Sequence, residues 1–310
     1  MKYEKGLCSI CCLGYNHQRF LQECIETIWK QEYQKIEVIV VDDGSADDSV
    51  TLLKKLRDDS PVPMQIITQK NTGNIALNFN TALKHAVGEF VLFISLDDKL
   101  YPNSISEKLN MMNFDHRIAF AINSKITGID DTSKVNDIVP PLTIDRMSNV
   151  TANDLLELDY REFSAYYIQG TVFRKEIVDA VGGFDEDMLG DDLILRTKIN
   201  LYLKQNPDFS FEIIKSPSCY YRLHDNNIHK NSYRQIVIVA FYLERYWNDR
   251  KPPALLGNWM RHTIKKGSFK DGWKVFFVNK MTQKYLLHPQ FWILMVKMAI
   301  RHGARSISNH

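Results

Sequence analysis

The feature that most constrains this chain is an unbroken β-branched run, Val38-Ile39-Val40-Val41, cut off by Asp42-Asp43-Gly44-Ser45. A strand apolar on both faces must be covered on both, as in a parallel sheet flanked by helices. The neighbouring sequence agrees. Residues 7–13 form another apolar run, ending at Gly14, and Phe20, Leu21, Cys24, Ile25, Ile28 and Trp29 then recur at helical spacing. Past the break, Ser45 is expected to cap a helix running to about Arg57. Residues 64–68 and 90–94 read as strands, with a helix over 75–87 between them. Four such βα repeats predict an α/β fold, a mostly parallel, right-handed, Rossmann-like sheet with helices on both faces.

Sheets of this kind bind ligands beyond the carboxyl ends of their strands. Those ends carry Tyr15-Asn16, Asp42-Asp43 and Asp97-Asp98. Neither G-x-G-x-x-G nor G-x-x-x-x-G-K-[ST] occurs, so no dinucleotide or P-loop phosphate site is signalled. Carboxylates suit ribose hydroxyls, base N–H groups and hard cations instead. Farther on, the polar residues 127–153, with Pro140-Pro141, read as a long lid-like excursion. Residues 166–173 read as a strand, followed by a short helix to Val181 and a turn at Gly182-Gly183-Phe184-Asp185-Glu186. Asp191-Asp192 then precedes a helix to about Leu203, and Cys219-Tyr220-Tyr221-Arg222 is a short strand before His224.

The length of 310 residues fits a large domain with an appendage, and 45% hydrophobic with 25% charged residues argues against disorder. The net charge of +2 hides an asymmetry: from Arg250 onward twelve Lys and Arg face one acid, Asp271. Within that tail, residues 285–300 are apolar with flanking bases, which suits an in-plane membrane-surface segment and equally a helix packed on the domain or on a second subunit. The five cysteines show no repeated C-x-x-C unit and read as inert core thiols. No apolar leader and no run of about 18 apolar residues is present, so a cytoplasmic protein is expected, at most at the inner face of the membrane. No base-stacking module supports nucleic-acid binding.

Taken in order, several blocks resemble glycosyltransferase family 2, the large inverting family of GT-A fold. They are Ser9 to Asn16, the 36–45 run, Asn71-Thr72-Gly73 with Asn80-Thr81-Ala82-Leu83, Gly88-Glu89-Phe90, Asp97-Asp98, Gly182 to Glu186, Asp191-Asp192, and Tyr221-Arg222-Leu223-His224. The similarity spans about 7–232. It implies a catalytic domain over 1–232, its nucleotide-binding half about 1–100 and its acceptor half about 101–232, with a helical basic region over 233–310. The chain departs from the family's usual pattern at four places. Ser95 stands where a first carboxylate is common, Asp191 where Glu is common, Leu13-Gly14 where a Pro commonly precedes the Tyr-Asn pair, and no Arg precedes Asn80.

The resemblance implies an inverting transferase that moves a sugar from a nucleotide-sugar, UDP-linked by commonness, to a glycan acceptor. A lipid-linked O-antigen or capsule precursor is the expected setting. Leu13, Tyr15, Asp43, Asn80 and Asp97 would bind the nucleotide, and Asp98 and His224 a divalent Mn or Mg. Asp192, beside Asp191, would be the general base. Each has a plainer reading: Asp42-Asp43-Gly44-Ser45 as a turn and cap, Asp97-Asp98 as a surface turn, His224 as a structural histidine, and Asp191-Asp192 as helix-capping acids. Arg222 pairs with phosphate or with a structural acid. A nucleotidyltransferase would carry an N-terminal Gly-rich phosphate loop, which is missing. A glycan-binding or scaffolding protein that kept the fold is the remaining rival, and an oligomer is open.

Overall fold

The structure, a computed structural model, describes residues 3–136, 139–223, 231–266, 273–287, 289, 291–293 and 296. The chain divides into two compact units: Met1–Leu156 with Ser164–His224, and Glu157–Phe163 with Asp225–His310.

The first unit opens with β1 (Glu4–Gly14), α1 (Leu21–Trp29), β2 (Ile36–Asp42), α2 (Ser49–Asp58), β3 (Met64–Thr68), α3 (Ile75–His85) and β4 (Gly88–Ser95). These strands pair in parallel in the order β3-β2-β1-β4, as the repeats predict. The cause is burial on both faces. Val38, Ile39, Val40 and Val41 are all buried, as are Cys8, Ile10, Cys11 and Cys12 of β1. The α1 stripe closes one side with Leu21, Cys24, Ile25 and Ile28. All five cysteines are free and buried, and desolvation pushes the Cys8 and Cys219 thiols up to about 12, which leaves them inert.

Beyond β4 come β5 (Lys99–Leu100), α4 (Ser106–Phe114), β6 (Ile118–Ile129), β7 (Val135–Asn136), α5 (Ala152–Glu162), β8 (Val172–Arg174), α6 (Lys175–Ala180), α7 (Asp191–Gln205) and β9 (Ser210–Arg222). Here the sheet becomes mixed. Among the described residues its order is β3-β2-β1-β4-β8-β6-β9-β5, with β7 on β6. β8 runs antiparallel to both β4 and β6, whereas β6 and β9 are parallel.

Several sequence expectations need correction here. The α2 helix starts at Ser49 after an Asp48 cap, because Ser45 instead bonds to Asp42. The polar excursion begins only after Ile129, since 127–129 finish β6. Of the strand read over 166–173, only its last two residues lie in a strand, β8. The short strand at 219–222 is the end of the long β9.

The second unit contains α8 (Ser232–Tyr246) and α9 (Ala254–Lys266), followed by single turns over Val275–Phe277, Lys280–Gln283 and Lys284–Leu287. Its core is aromatic. Phe163 packs edge-on to Tyr242 and against Trp259, and Arg250 lies 4.3 Å over Tyr160 while pairing with Glu157 at 2.7 Å. Tyr285 donates to the Pro253 carbonyl at 2.7 Å, pinning the last turns to α9. Of the tail run read over 285–300, residues 288, 290, 294, 295 and 297–300 lie outside the described residues. No helix among the described residues is long and apolar enough to cross a membrane.

Candidate active site

The carboxyl ends of β1, β2 and β4 lie side by side, with Leu13 in register with both Val41 and Ser95. Backbone bonds close the junction: Asp43 N–H donates to Gly14 O and Leu96 N–H to Leu13 O, each at 2.9 Å. Leu13 is half-buried there and Tyr15 is exposed at the rim. Asn16 takes a left-handed conformation, φ 55°, which its short amide tolerates. It accepts from Ala46 N–H while its own N–H donates to Ser45 Oγ, so the first and second strand loops are laced together.

The two acids of the second strand end have different duties. Asp42 is buried and accepts from the N–H and hydroxyl of Ser45, the turn reading in full. Asp43 reaches the other way. It accepts from Thr72 N–H (2.9 Å), Thr72 Oγ1 (3.0 Å), Gly73 N–H (3.0 Å) and Gln69 Nε2 (3.1 Å). Burial alone would raise its pKa, but these donors carry it below the ordinary value. Asp43 therefore shapes the loop ahead of α3, and four bonds fill most of its acceptor capacity.

Asn80 is committed elsewhere. Its amide donates to Phe184 O (2.9 Å) and Glu186 Oε1 (2.8 Å), and its carbonyl accepts from Phe184 N–H (2.9 Å). Asn74 adds a bond to Glu186 O at 2.8 Å. Phe184 meanwhile stacks on Phe79 and meets Phe93 edge-on, with centroids 5.3 and 5.0 Å away. Asn80 thus clamps the turn 182–186 to α3.

Asp97 and Asp98 follow β4 and are both buried. Asp98 Oδ1 accepts from Arg222 N–H at 2.9 Å, and Arg222 Nε donates to Asp97 O at 2.8 Å. Desolvation, then the Asp97 charge, hold the Asp98 carboxyl well above its usual range. His17 Nε2 stands 4.0 Å from Asp97 Oδ2. Arg222 itself is buried and structural. It pairs with Glu23 at 2.7 Å, donates to Asp130 O and Ser133 Oγ, and lies over the Phe20 ring. Glu23 also takes Lys99 at 2.6 Å, so α1, β5 and the end of β9 share one ionic hub.

Asp191 and Asp192 open α7, where the helix N-terminus favours negative charge. Burial, and then the neighbouring Asp191, push Asp192 well above the usual carboxylate value, against an Ile168 N–H bond and the Arg196 charge. Arg196 lies one turn on, 3.8 Å from Asp192 and over the Tyr166 ring. Burial, and then the charges of Asp98, Asp97 and Asp192, raise the Tyr221 phenol. His224 lies outside the described residues. Sequence reading missed His17, Glu23, Lys99 and Arg196, and named Tyr221 only within its block; of the four, only Arg196 carried a signal, its i,i+4 spacing from Asp192.

Adjacent carboxylates raised by mutual repulsion suit either a shared proton or a hard cation. Among the described residues no three His, Cys, Asp or Glu side chains form a metal-ligand group, so a cation at Asp98 would need ligands from outside that set.

The model of the family described as Glycosyl transferase family 2 matches residues 9–182, more than half of the chain. The chain belongs to that family. It is therefore a glycosyltransferase. Over 234 residues, 74% of this chain and 70% of the relative, it is 27% identical to the GalNAc(5)-diNAcBac-PP-undecaprenol beta-1,3-glucosyltransferase of Campylobacter jejuni. It is 38% identical to GlyG of Streptococcus pneumoniae over 92 residues, 29% of this chain and 30% of GlyG, so that match spans under a third of either protein. The crystal structure of Staphylococcus aureus TarS 1–349 in complex with UDP-GlcNAc superposes with a TM-score of 0.61 at 18% identity, covering 91% of this chain and 75% of that one. The mannosyltransferase PcManGT of Pyrobaculum calidifontis, in complex with GDP-Man and Mn2+, gives 0.55 at 16% identity over 93% and 85% of the two chains. These likenesses establish the GT-A fold of this family 2 member.

Proposed function

We propose that this glycosyltransferase moves a sugar, with inversion, from a UDP-sugar to a glycan acceptor carried on a lipid, an O-antigen or capsule precursor at the cytoplasmic face of a membrane. The observation that carries it is the placement of Asp97 and Asp98 just past the carboxyl end of β4, where Leu96 N–H bonds Leu13 O and Asp43 N–H bonds Gly14 O, in a chain of this family. Residues 1–232 would be the catalytic domain, donor half first, and 233–310 an appended helical region.

The donor nucleotide would lie over Leu13 and Tyr15, bounded by the Asp43 loop, with Asp97 toward the ribose. Asp98 and His224 would hold Mn2+ or Mg2+, which when bound supplies charge neutralisation for the leaving diphosphate. The chemical step belongs to Asp192. It takes the acceptor hydroxyl proton while that oxygen forms a bond to C1 and the C1–O bond to the diphosphate breaks. A carboxylate raised toward neutrality by Asp191 is a better base than an ordinary one. A single displacement inverts the anomeric centre.

The relative named as a glucosyltransferase of an undecaprenol-linked glycan supports the acceptor class, the TarS complex with UDP-GlcNAc supports a UDP-sugar, and the PcManGT complex supports a nucleotide-sugar with Mn2+. The test is a thermal-shift screen of UDP, GDP, dTDP and CMP with and without Mn2+. A UDP shift that needs metal and vanishes in Asp98→Ala is expected. Shifts by no nucleotide would favour the non-catalytic scaffold reading.

A further inference from the structure

In the second unit, the turns after α9 expose an apolar patch. Phe277 is 62% exposed, Leu287 89%, Trp292 49%, Ile293 56% and Val296 57%. Singly, such residues are ordinary, but several of these are contiguous. Trp273 lies 6.5 Å from Phe277 and 5.9 Å from Trp292, centroid to centroid, so one indole joins the two outward rings. Beneath them, Phe276 and Phe291 are buried and meet edge-on at 5.4 Å. The patch therefore stands on a packed base.

Two details suit it to a bilayer interface. Trp292 Nε1 donates to Leu286 O at 2.6 Å, so its only polar atom has a partner within the chain and the ring can enter an apolar medium without stranding a donor. Among the described residues from 273 to 296 the charged side chains are Lys274, Lys280 and Lys284, all exposed and all basic. A second copy of this unit would bring like charge to like charge; an anionic lipid surface brings the opposite.

We propose that the patch formed by Phe277, Leu287, Trp292 and Ile293, with Lys274 and Lys280, is the face by which the protein docks on an anionic bilayer. It seats the rings at the headgroup level and spans nothing. The inference rests on the lipid-linked acceptor reading and deepens it, since an acceptor anchored in a membrane is met by an enzyme already held there.

The experiment is co-sedimentation of the full chain with phosphatidylglycerol-containing vesicles and with pure phosphatidylcholine vesicles, at low and high salt. Binding to the first alone, weakened by salt, is expected. The double variant Leu287→Ser, Ile293→Ser should lose at least about tenfold in partitioning, as removal of two exposed apolar anchors requires. Lys274→Glu, Lys280→Glu should lose the anionic preference. All four positions are exposed, so the variants should melt with the parent.

No sedimentation with either vesicle, or sedimentation indifferent to both variants, overturns the proposal. So does a lipid-free dimer that the serine variant dissolves, because the occupant is then a second copy. Transfer to a water-soluble acceptor analogue separates the two readings. An enzyme that glycosylates the analogue yet ignores vesicles keeps its function and loses this surface. One that docks but transfers nothing loses the function instead.

Discussion

The backbone N–H of Arg222, at the end of β9, donates to the Asp98 carboxylate 2.9 Å away, while the same residue's guanidinium is spent on Glu23 and on carbonyls. One buried residue thus joins the loop after β4 to α1 and to the loop after β6. Arg222→Met should leave Glu23 and the Asp97 and Asp130 carbonyls without that donor. A loss of about 1–3 kcal/mol is expected from the carbonyls left unpaired, since Glu23 is half-exposed and keeps Lys99. Chemical denaturation checks it, and Arg222→Lys should recover only part, because a lysine cannot fork to these acceptors.

Asp192→Asn should retain the fold and nucleotide binding while transfer falls by about 10²–10⁴-fold, the usual worth of a general base. In the parent, activity requires ionised Asp192. Because burial and Asp191 raise its pKa, the acid limb of kcat should lie above the ordinary carboxylate value. Arg196→Met removes the cation that opposes this shift, so the limb should move to higher pH. A pH–rate profile of both variants decides it; an unmoved limb removes Asp192 from the role.

The sign is opposite at Asp43, whose folded pKa is lowered. Its stabilisation is fully present above the unfolded carboxylate pKa and is lost as pH falls through the folded one. Asp192, raised, subtracts stability as pH climbs from its unfolded toward its folded pKa. Melting curves of Asp43→Asn should converge with the parent at low pH and be fully separated above about pH 4, the unfolded carboxylate range.

Asn80→Ala should lower the melting temperature, because the N–H and carbonyl of Phe184 lose their partner, at about 1–3 kcal/mol. The donor KM should scarcely change, since the amide is committed to the 182–186 turn. A large KM effect at unchanged stability would put Asn80 back at the nucleotide.

At Gly44, φ is +76° and a Cβ would stand 2.6 Å from the Asn71 backbone N. Gly44→Ala should cost about 2 kcal/mol, strain and clash combined, and loosen the loop that Asp43 organises. Thermal melts and the nucleotide shift would report both.

Local pattern made the donor side of the fold readable. An unbroken run such as 38–41 admits few placements, and the acids past the strand ends follow from topology. The mixed half was harder: β8 is three residues long and its partners are distant in sequence, so no local period announces it. The acid pairs were visible as pairs, but their surroundings were not. Ser45 has the composition of a helix cap and serves a turn, while Asn80 has the address of a ligand contact and serves a neighbouring turn. What decided each was which group the fold brought within about 3 Å, a long-range matter.

The Asn80 clamp has a consequence for how such enzymes can change. The helix α3 and the turn leading toward Asp191 are bonded through two amides and one stacked phenylalanine. A lineage could not trade the part of the chain that follows this turn for another's as a free-standing cassette without also bringing a compatible residue at position 80. New acceptor preferences should therefore arise by drift in loops around a jointly inherited frame, and laboratory chimeras cut between the halves should need this contact transplanted as a pair.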